Sequence, residues 1–372
     1  MAEISPWIII ARPGGEIGIK SKGTRRRIIH LLQSNIKRRL SFYQGIKIKY
    51  FRNYFLIKGD FNKENTYKAA QLLSKYEPGI SSTNPAISSS SEEDEVIVTS
   101  LAFFPSFLEK NSTFAVRVKR EGKHEYSSVD LAAKIGKAIL NQHQSLSLKV
   151  DLTTPQHELN VDIKQDLAFY YIEKFSGLSG YPPGMQGSSI GLLRSCSFDF
   201  FALFLMLRRG VKLYPVFLKS DNCFHSSSEI NEKLVREYCL KSQFFSIDLS
   251  PLLENYTNSS KCEACIIIRS LVGKTAQQRL KADGMVDGVR LSDLNPEILL
   301  TVDSQLQTRK FYPLLLNPEK LITLPFSIPI HEIFPKSPIS EQRVLSLLQN
   351  KMKIENWKKY ILENLHESFM GE

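Results

Sequence analysis

Ser195-Cys196-Ser197-Phe198-Asp199-Phe200 stands between two apolar runs, Ile190-Gly191-Leu192-Leu193 before it and Ala202-Leu203-Phe204-Leu205-Met206-Leu207 after it. The first run reads as a strand, the six residues as a tight turn, and the second run as a helix that Gly210 closes after Arg208-Arg209. Val211 to Leu218 then reads as a second strand. A strand, turn and helix returning to a parallel strand make the unit whose helix N-terminus attracts phosphate. Such loops usually bring bare backbone to the phosphate oxygens, whereas this turn is crowded with side chains. The pattern predicts a nucleotide-binding scaffold that lacks part of its chemistry.

The chain of 372 residues has room for two or three domains with their own cores. Its 42% hydrophobic content is that of a globular protein, and no apolar run reaches the eighteen or so residues a membrane span needs. Met1-Ala2-Glu3-Ile4-Ser5-Pro6 has no signal-peptide character, and the five cysteines form no regular framework, so the expectation is a cytoplasmic protein without disulfides.

The net charge of +11 is concentrated near the N-terminus. Residues 17–59 hold twelve cations and no carboxylate: Lys20, Lys22, Arg25, Arg26, Arg27, Lys37, Arg38, Arg39, Lys47, Lys49, Arg52 and Lys58. Solvated faces normally mix both signs, so a one-signed stretch of this length points to a polyanion, and nucleic acid is the first choice. The interleaved Phe42, Tyr43, Tyr50, Phe51, Tyr54 and Phe55 can stack on bases, but their alternation with Ile46, Ile48, Leu56 and Ile57 favours a core role for most of them.

Trp7-Ile8-Ile9-Ile10 reads as a strand. Lys22 to Leu40 reads as a helix with Ile28, Leu31, Leu32, Ile36 and Leu40 on one face and the cations opposite. A hairpin over 45–58 and a helix over 63–75 complete two β-α-β halves, a ferredoxin-like pattern. Residues 80–95 have the composition of a linker, although Ser91 followed by Asp94 also suits a capped helix start. Phe114 to Arg120 is a strand with cations at Arg117, Lys119 and Arg120. A helix follows over about 127–142, and then strands over 148–152 and 159–163. Gly177 to Gly187, rich in Gly and Pro, marks the clearest boundary. Near the C-terminus, Ser340 caps a helical run whose Val344, Leu345, Leu348, Met352, Trp357, Ile361 and Leu365 are expected in the core.

These residues resemble a known family, the tRNA sulfurtransferases that make 4-thiouridine. Gly15-Glu16-Ile17-Gly18-Ile19-Lys20 with Lys22-Gly23 looks like that family's opening segment. Phe114 to Arg120, Ser127-Ser128, Gly136 and Val150-Asp151-Leu152 look like a THUMP domain, a small α/β module of RNA-modifying enzymes. Gly177 to Gly187 has the family's Gly-Pro spacing, and Cys262-Glu263-Ala264-Cys265, with Arg269 soon after, looks like a Cys pair of archaeal members. The resemblance implies an α/β architecture in three parts. A ferredoxin-like domain would occupy 1–77, a THUMP domain 78–176, and a linker 177–187. A Rossmann-like ATP-pyrophosphatase domain, of the adenine nucleotide alpha hydrolase kind, would occupy 188–372. It further implies tRNA as partner, gripped by Lys20, Lys22, Arg25–Arg27, Lys37–Arg39, Arg117, Lys119 and Arg120. ATP and Mg²⁺ would serve the chemistry, and sulfur would arrive as a persulfide.

The sequence departs from that family at the nucleotide motifs. Where relatives carry Ser-Gly-Gly-x-Asp-Ser, Ser195 and Asp199 agree, but Cys196 and Ser197 replace the glycines and Phe200 the last Ser. Of the later motif Gly-x-x-Leu-Gly-Gln-x-x-Ser-Gln, only Gly288 and Leu291 remain. Ser195, Ser197, Asp199 and Gly288 are therefore the candidate residues of a degenerate nucleotide site. Cys262 and Cys265 have the spacing of ligands for zinc or an iron–sulfur cluster, or of a persulfide carrier with its resolving thiol. Before Ile266-Ile267-Ile268 they equally suit two small buried residues on a helix. The expected function is tRNA binding within tRNA modification, with ATP chemistry weakened or lost. An active sulfurtransferase and a non-catalytic assembly partner, with a second copy, a sulfur donor or another modifying enzyme at hand, are the alternatives.

Overall fold

The fold is that of a computed structural model, which describes residues 7–194, 197–220, 235–239, 242–256, 258–289, 296–312 and 339–367. The chain divides into two compact units, Met1–Ser179 and Gly180–Glu372. Ser195, Cys196 and the motif residues 290–295 lie outside the described residues, as do the side chains of Ser197 and Cys262.

In the first unit, nine strands form one sheet whose main path runs β2-β3-β1-β4-β8-β7-β5-β6. The first half contains β1 (Ile8–Pro13), α1 (Gly15–Gly18), α2 (Lys22–Arg39), β2 (Lys47–Phe51), β3 (Tyr54–Lys58) and α3 (Lys63–Tyr76). Ser21 caps α2 by accepting from the Thr24 N–H, and Lys37, Arg38 and Arg39 complement the negative end of its dipole. Ile28, Leu32 and Ile36 bury the inner face, as the spacing predicts.

The fourth strand of this ferredoxin-like half is β4 (Ile80–Ser90), and here the sequence misleads. The stretch with linker composition is a largely buried strand. Residues 80–86 pair with β1 and residues 87–90 pair with β8 (Leu167–Tyr171). Pro85, which has no N–H to give, stands next to that change of partner. The small polar side chains are not solvated but bonded inside the sheet: Thr83 donates to the Ala70 carbonyl at 2.8 Å, and Ser81 to the carbonyls of Arg12 and Pro13 at 3.1 and 3.0 Å. Helix α4 (Glu93–Phe103) starts after Glu92, and Ser91 is not its cap.

The second half adds β5 (Thr113–Glu121), α5 (Ser128–Gln142), β6 (Lys149–Val150, shorter than the expected strand), β7 (His157–Lys164) and β9 (Phe175–Ser176). Ser127 caps α5, accepting from the Asp130 N–H at 3.0 Å, and Leu131, Ile135 and Ile139 pack on Phe114, Leu159 and Val161. Gly177 and Ser179, expected in the connector, extend this sheet: the Gly177 N–H donates to Ser81 and the Ser179 N–H to Ile80, each at 2.8 Å.

The second unit is a parallel sheet in the order β14-β13-β10-β11-β12, with β15 (His366–Glu367) antiparallel at its edge. Its strands are β10 (Ser188–Leu193), β11 (Lys212–Lys219), β12 (Phe245–Asp248), β13 (Gly284–Val286) and β14 (Lys310–Phe311). As read from the sequence, α6 (Ser197–Arg208) joins β10 to β11, and Gly210 turns the chain with φ 93°. After the short α7 (Ser250–Leu253), α8 (Asn258–Leu280) is the central helix. Then come α9 (Pro296–Leu306), α10 (Glu341–Gln349) and α11 (Lys351–Asn364). Ser340 caps α10 as expected, and Val344, Ile354, Trp357 and Ile361 join the core around α8. Met352, placed in that core by its spacing, is 75% exposed instead.

Candidate functional site

In an open parallel sheet, ligands bind beyond the carboxyl ends of the strands where the strand order reverses. Here the chain leaves β10 for β11 on one side while β13 flanks the other, so the reversal lies between β10 and β13. Arg194 follows β10 directly, Asp199 sits in the first turn of α6, and Asp287 and Gly288 follow β13. The sequence singled out Asp199 and Gly288, and the fold brings them together.

Asp199 is fully buried, and Arg194 holds it by three bonds. The Arg194 backbone N–H and Nε donate to Oδ2 at 2.7 and 2.8 Å, and Nη2 donates to Oδ1 at 2.6 Å. Gly288 lies directly on Asp199: a Cβ there would fall 2.5 Å from the Asp199 nitrogen and closer still to its Cα and Oδ1. The loop after β13 therefore touches the start of α6 across the strand reversal.

A second pair lies alongside. Arg269 of α8, buried, bonds Asp287 Oδ1, which also accepts from the Val289 N–H at 3.1 Å. Burial alone would raise the Asp287 carboxyl, but Arg269, Lys310 and Arg194 together outweigh it and hold the group below the usual aspartate value. Lys310 of β14 donates to the Ser270 hydroxyl at 2.6 Å and pairs with Asp303 at 2.9 Å. Asp303 also accepts from the Tyr312 hydroxyl at 2.9 Å, whose own acidity is suppressed by burial and by Asp287 and Asp303. Arg194, Arg269 and Lys310 thus face Asp199, Asp287 and Asp303, three cations against three carboxylates. A nucleotide triphosphate needs unbalanced positive charge and unclaimed N–H groups. Among the described residues, the chain's own carboxylates balance that positive charge.

Arg194 and Lys310 were not legible as site residues, and Arg269 was noted only beside the Cys pair. The usable signal was an Asp directly after an apolar strand, as in Met285-Val286-Asp287. Phe200, at the position of a hydroxyl in the motif it resembles, is 2% exposed and its ring packs with Phe204 and Tyr238, so its bulk serves the core. Cys265 is buried on α8 among Ala264 and Ile266–Ile268. Among the described residues no three His, Cys, Asp or Glu side chains converge as metal ligands, and the Cys262 side chain lies outside them.

The cationic face divides on inspection. Lys20, Lys22, Arg26, Arg27 and Lys37 are exposed, and Arg25 and Arg38 are half-buried. Arg39 is a correction: it is 4% exposed and donates to Glu77 at 3.0 Å, so it braces α2 inside the fold and presents no charge to a partner. In the second half, Lys119 and Arg120 are exposed, whereas Arg117 is paired with Glu158 at 3.0 Å. No helix among the described residues is long and apolar enough to cross a membrane.

The first unit carries a THUMP domain, whose model matches residues 91–173, and the second is a parallel α/β unit. The chain is similar to proteins described as probable tRNA sulfurtransferases. The chain is 29% identical to the "probable tRNA sulfurtransferase" of Sulfurisphaera tokodaii over 89% of each chain, and 28% identical to that of Methanocaldococcus jannaschii over 80% of each. Among solved structures it resembles PH1313 from Pyrococcus horikoshii, at 26% identity and TM-score 0.64 over 84% of this chain and 96% of that one. A 4-thiouridine synthetase–RNA complex with bound ATP shares the fold at TM-score 0.74 and 18% identity, over 98% of this chain and 99% of that one.

Proposed function

We propose that the protein binds tRNA and acts in tRNA modification as a sulfurtransferase relative whose ATP chemistry has been lost. The observation that carries this reading is the Arg194–Asp199 fork. The carboxylate expected to serve phosphates and metal has both oxygens committed to a guanidinium of its own loop. Gly288 closes on the same residue, which supports the reading that the protein's own groups occupy this part of the strand reversal.

RNA binding rests on other residues. Lys20, Lys22, Arg26, Arg27 and Lys37 offer exposed charge without an intervening carboxylate, and Lys119 and Arg120 add the THUMP strand. Such contacts neutralise phosphates and release counterions, which makes affinity fall with salt. The pairing of β4 with β1 and a THUMP match that begins at 91 support a border between the ferredoxin-like and THUMP domains near residue 90 rather than 77. A filter-binding titration of unmodified tRNA at two salt concentrations tests this reading. Saturable binding that weakens with salt is expected, and no binding at low salt would overturn it.

A further inference from the structure

Arg12, the fifth residue of β1, reaches across the shared sheet of the first unit. Its guanidinium bonds Asn84 of β4 and, at 2.6 Å, Asp162 of β7. Asp162 is 5% exposed and also accepts from the Tyr171 hydroxyl of β8 at 3.3 Å. Burial and the Asp162 charge push that phenol up to about 12, so it remains a donor. Asn84, fully buried, donates onward to the Glu173 carbonyl at 3.2 Å, and the Ser81 hydroxyl fixes the carbonyls of Arg12 and Pro13. One side chain thus joins the ferredoxin-like half to three strands that run into the THUMP half.

Both ends of this connection lead to exposed cations. Eight residues after Arg12 the chain reaches Lys20 and then α2. Asp162 lies opposite Lys119 in the β5–β7 ladder, with Arg120 next to it. We propose that the Arg12–Asp162 pair is a positioning brace: it sets the angle between the α2 cations and the β5 cations so that both meet one folded RNA. The proposal rests on the RNA-binding reading above. Two patches held at a fixed angle act as linked modules, and their joint affinity is lost when geometry prevents simultaneous contact.

Asp162→Asn separates this from simple electrostatics, because it removes a negative charge while keeping the side chain's size. A charge effect alone would leave RNA binding equal or tighter. The brace predicts about tenfold weaker binding of a full tRNA transcript, with little change for a short single-stranded oligonucleotide that touches one patch. Equal or tighter transcript binding would overturn the brace, and so would the same loss on both RNAs, which would indicate a local or folding effect. Should Asp162→Asn fail to fold, Arg12→Lys keeps the charge, removes the fork and carries the same two predictions. Failure of the unsubstituted protein to bind the transcript would overturn the RNA-binding reading itself, and the brace with it.

Discussion

The guanidinium of Arg194 takes both carboxylate oxygens of Asp199, five residues on in the first turn of α6, in a place where the strand order leaves a crevice for a ligand. The pair is internal: Asp199 is fully buried and the Arg194 side chain is 15% exposed. It is therefore part of the unit's stability. Arg194→Ala would leave the Asp199 charge buried without its partner and should destabilise the second unit by about 3–5 kcal/mol. Urea unfolding followed by fluorescence measures this; a change within about 0.5 kcal/mol, the range of neutral surface substitutions, would mean the fork carries no weight.

Gly288 is tested by a single methyl group. Gly288→Ala places a Cβ against the Asp199 backbone, which cannot rotate away as a side-chain tip can. Overpacking of this kind costs about 1–3 kcal/mol, so thermal unfolding of the variant should begin several degrees earlier. An unchanged midpoint would show that the loop after β13 stands off from α6.

Much of this architecture was legible in the sequence. The strand, turn, helix and strand from Ile190 to Leu218 carried both the right periodicity and a Gly at the left-handed turn. Strand β4 was not legible, because hydrophobic patterning identifies strands by apolar alternation, and Ser82, Thr83 and Asn84 are buried by hydrogen bonding instead. Met352 failed for the opposite reason: spacing put it near the core face of α11, but neighbouring Ile354, Trp357 and Ile361 suffice to cover α8. At the candidate site, Asp199 and Gly288 could be found by motif. Arg194, Arg269 and Lys310 could not, because pairing across a fold leaves no local signature.

Acid should weaken the second unit in a defined window. The folded Asp287 carboxyl is held below its ordinary value, against burial, by Arg269, Lys310 and Arg194. A depressed carboxylate contributes fully above the unfolded value of about 3.9 and loses that contribution as pH falls through the folded value. Stability should therefore drop below about pH 4, and Asp287→Asn should show a smaller drop from a lower starting point. Identical acid limbs in the two proteins would assign the loss to other groups.

Arg39 and the Arg25–Arg27 run should separate cleanly. Arg39→Ala leaves Glu77, whose carboxyl burial already pushes up against the pull of Arg39, without its main partner. It should cost about 3–5 kcal/mol of stability and leave the RNA affinity of the folded protein unchanged. Replacing Arg25, Arg26 and Arg27 with Glu should do the reverse, weakening tRNA binding at low salt and flattening its salt dependence. Filter binding and urea unfolding on both variants read the two effects.

The proposed loss of ATP chemistry rests on the ion pairs Arg194–Asp199 and Arg269–Asp287 at the strand reversal between β10 and β13. Calorimetric titration of ATP with Mg²⁺ into the purified protein, alone and with unmodified tRNA, tests it most directly. No heat of ATP binding is expected in either titration, alongside clear tRNA binding. Micromolar ATP binding that strengthens with tRNA would contradict it, and would mean that Arg194 releases Asp199 to a working nucleotide site.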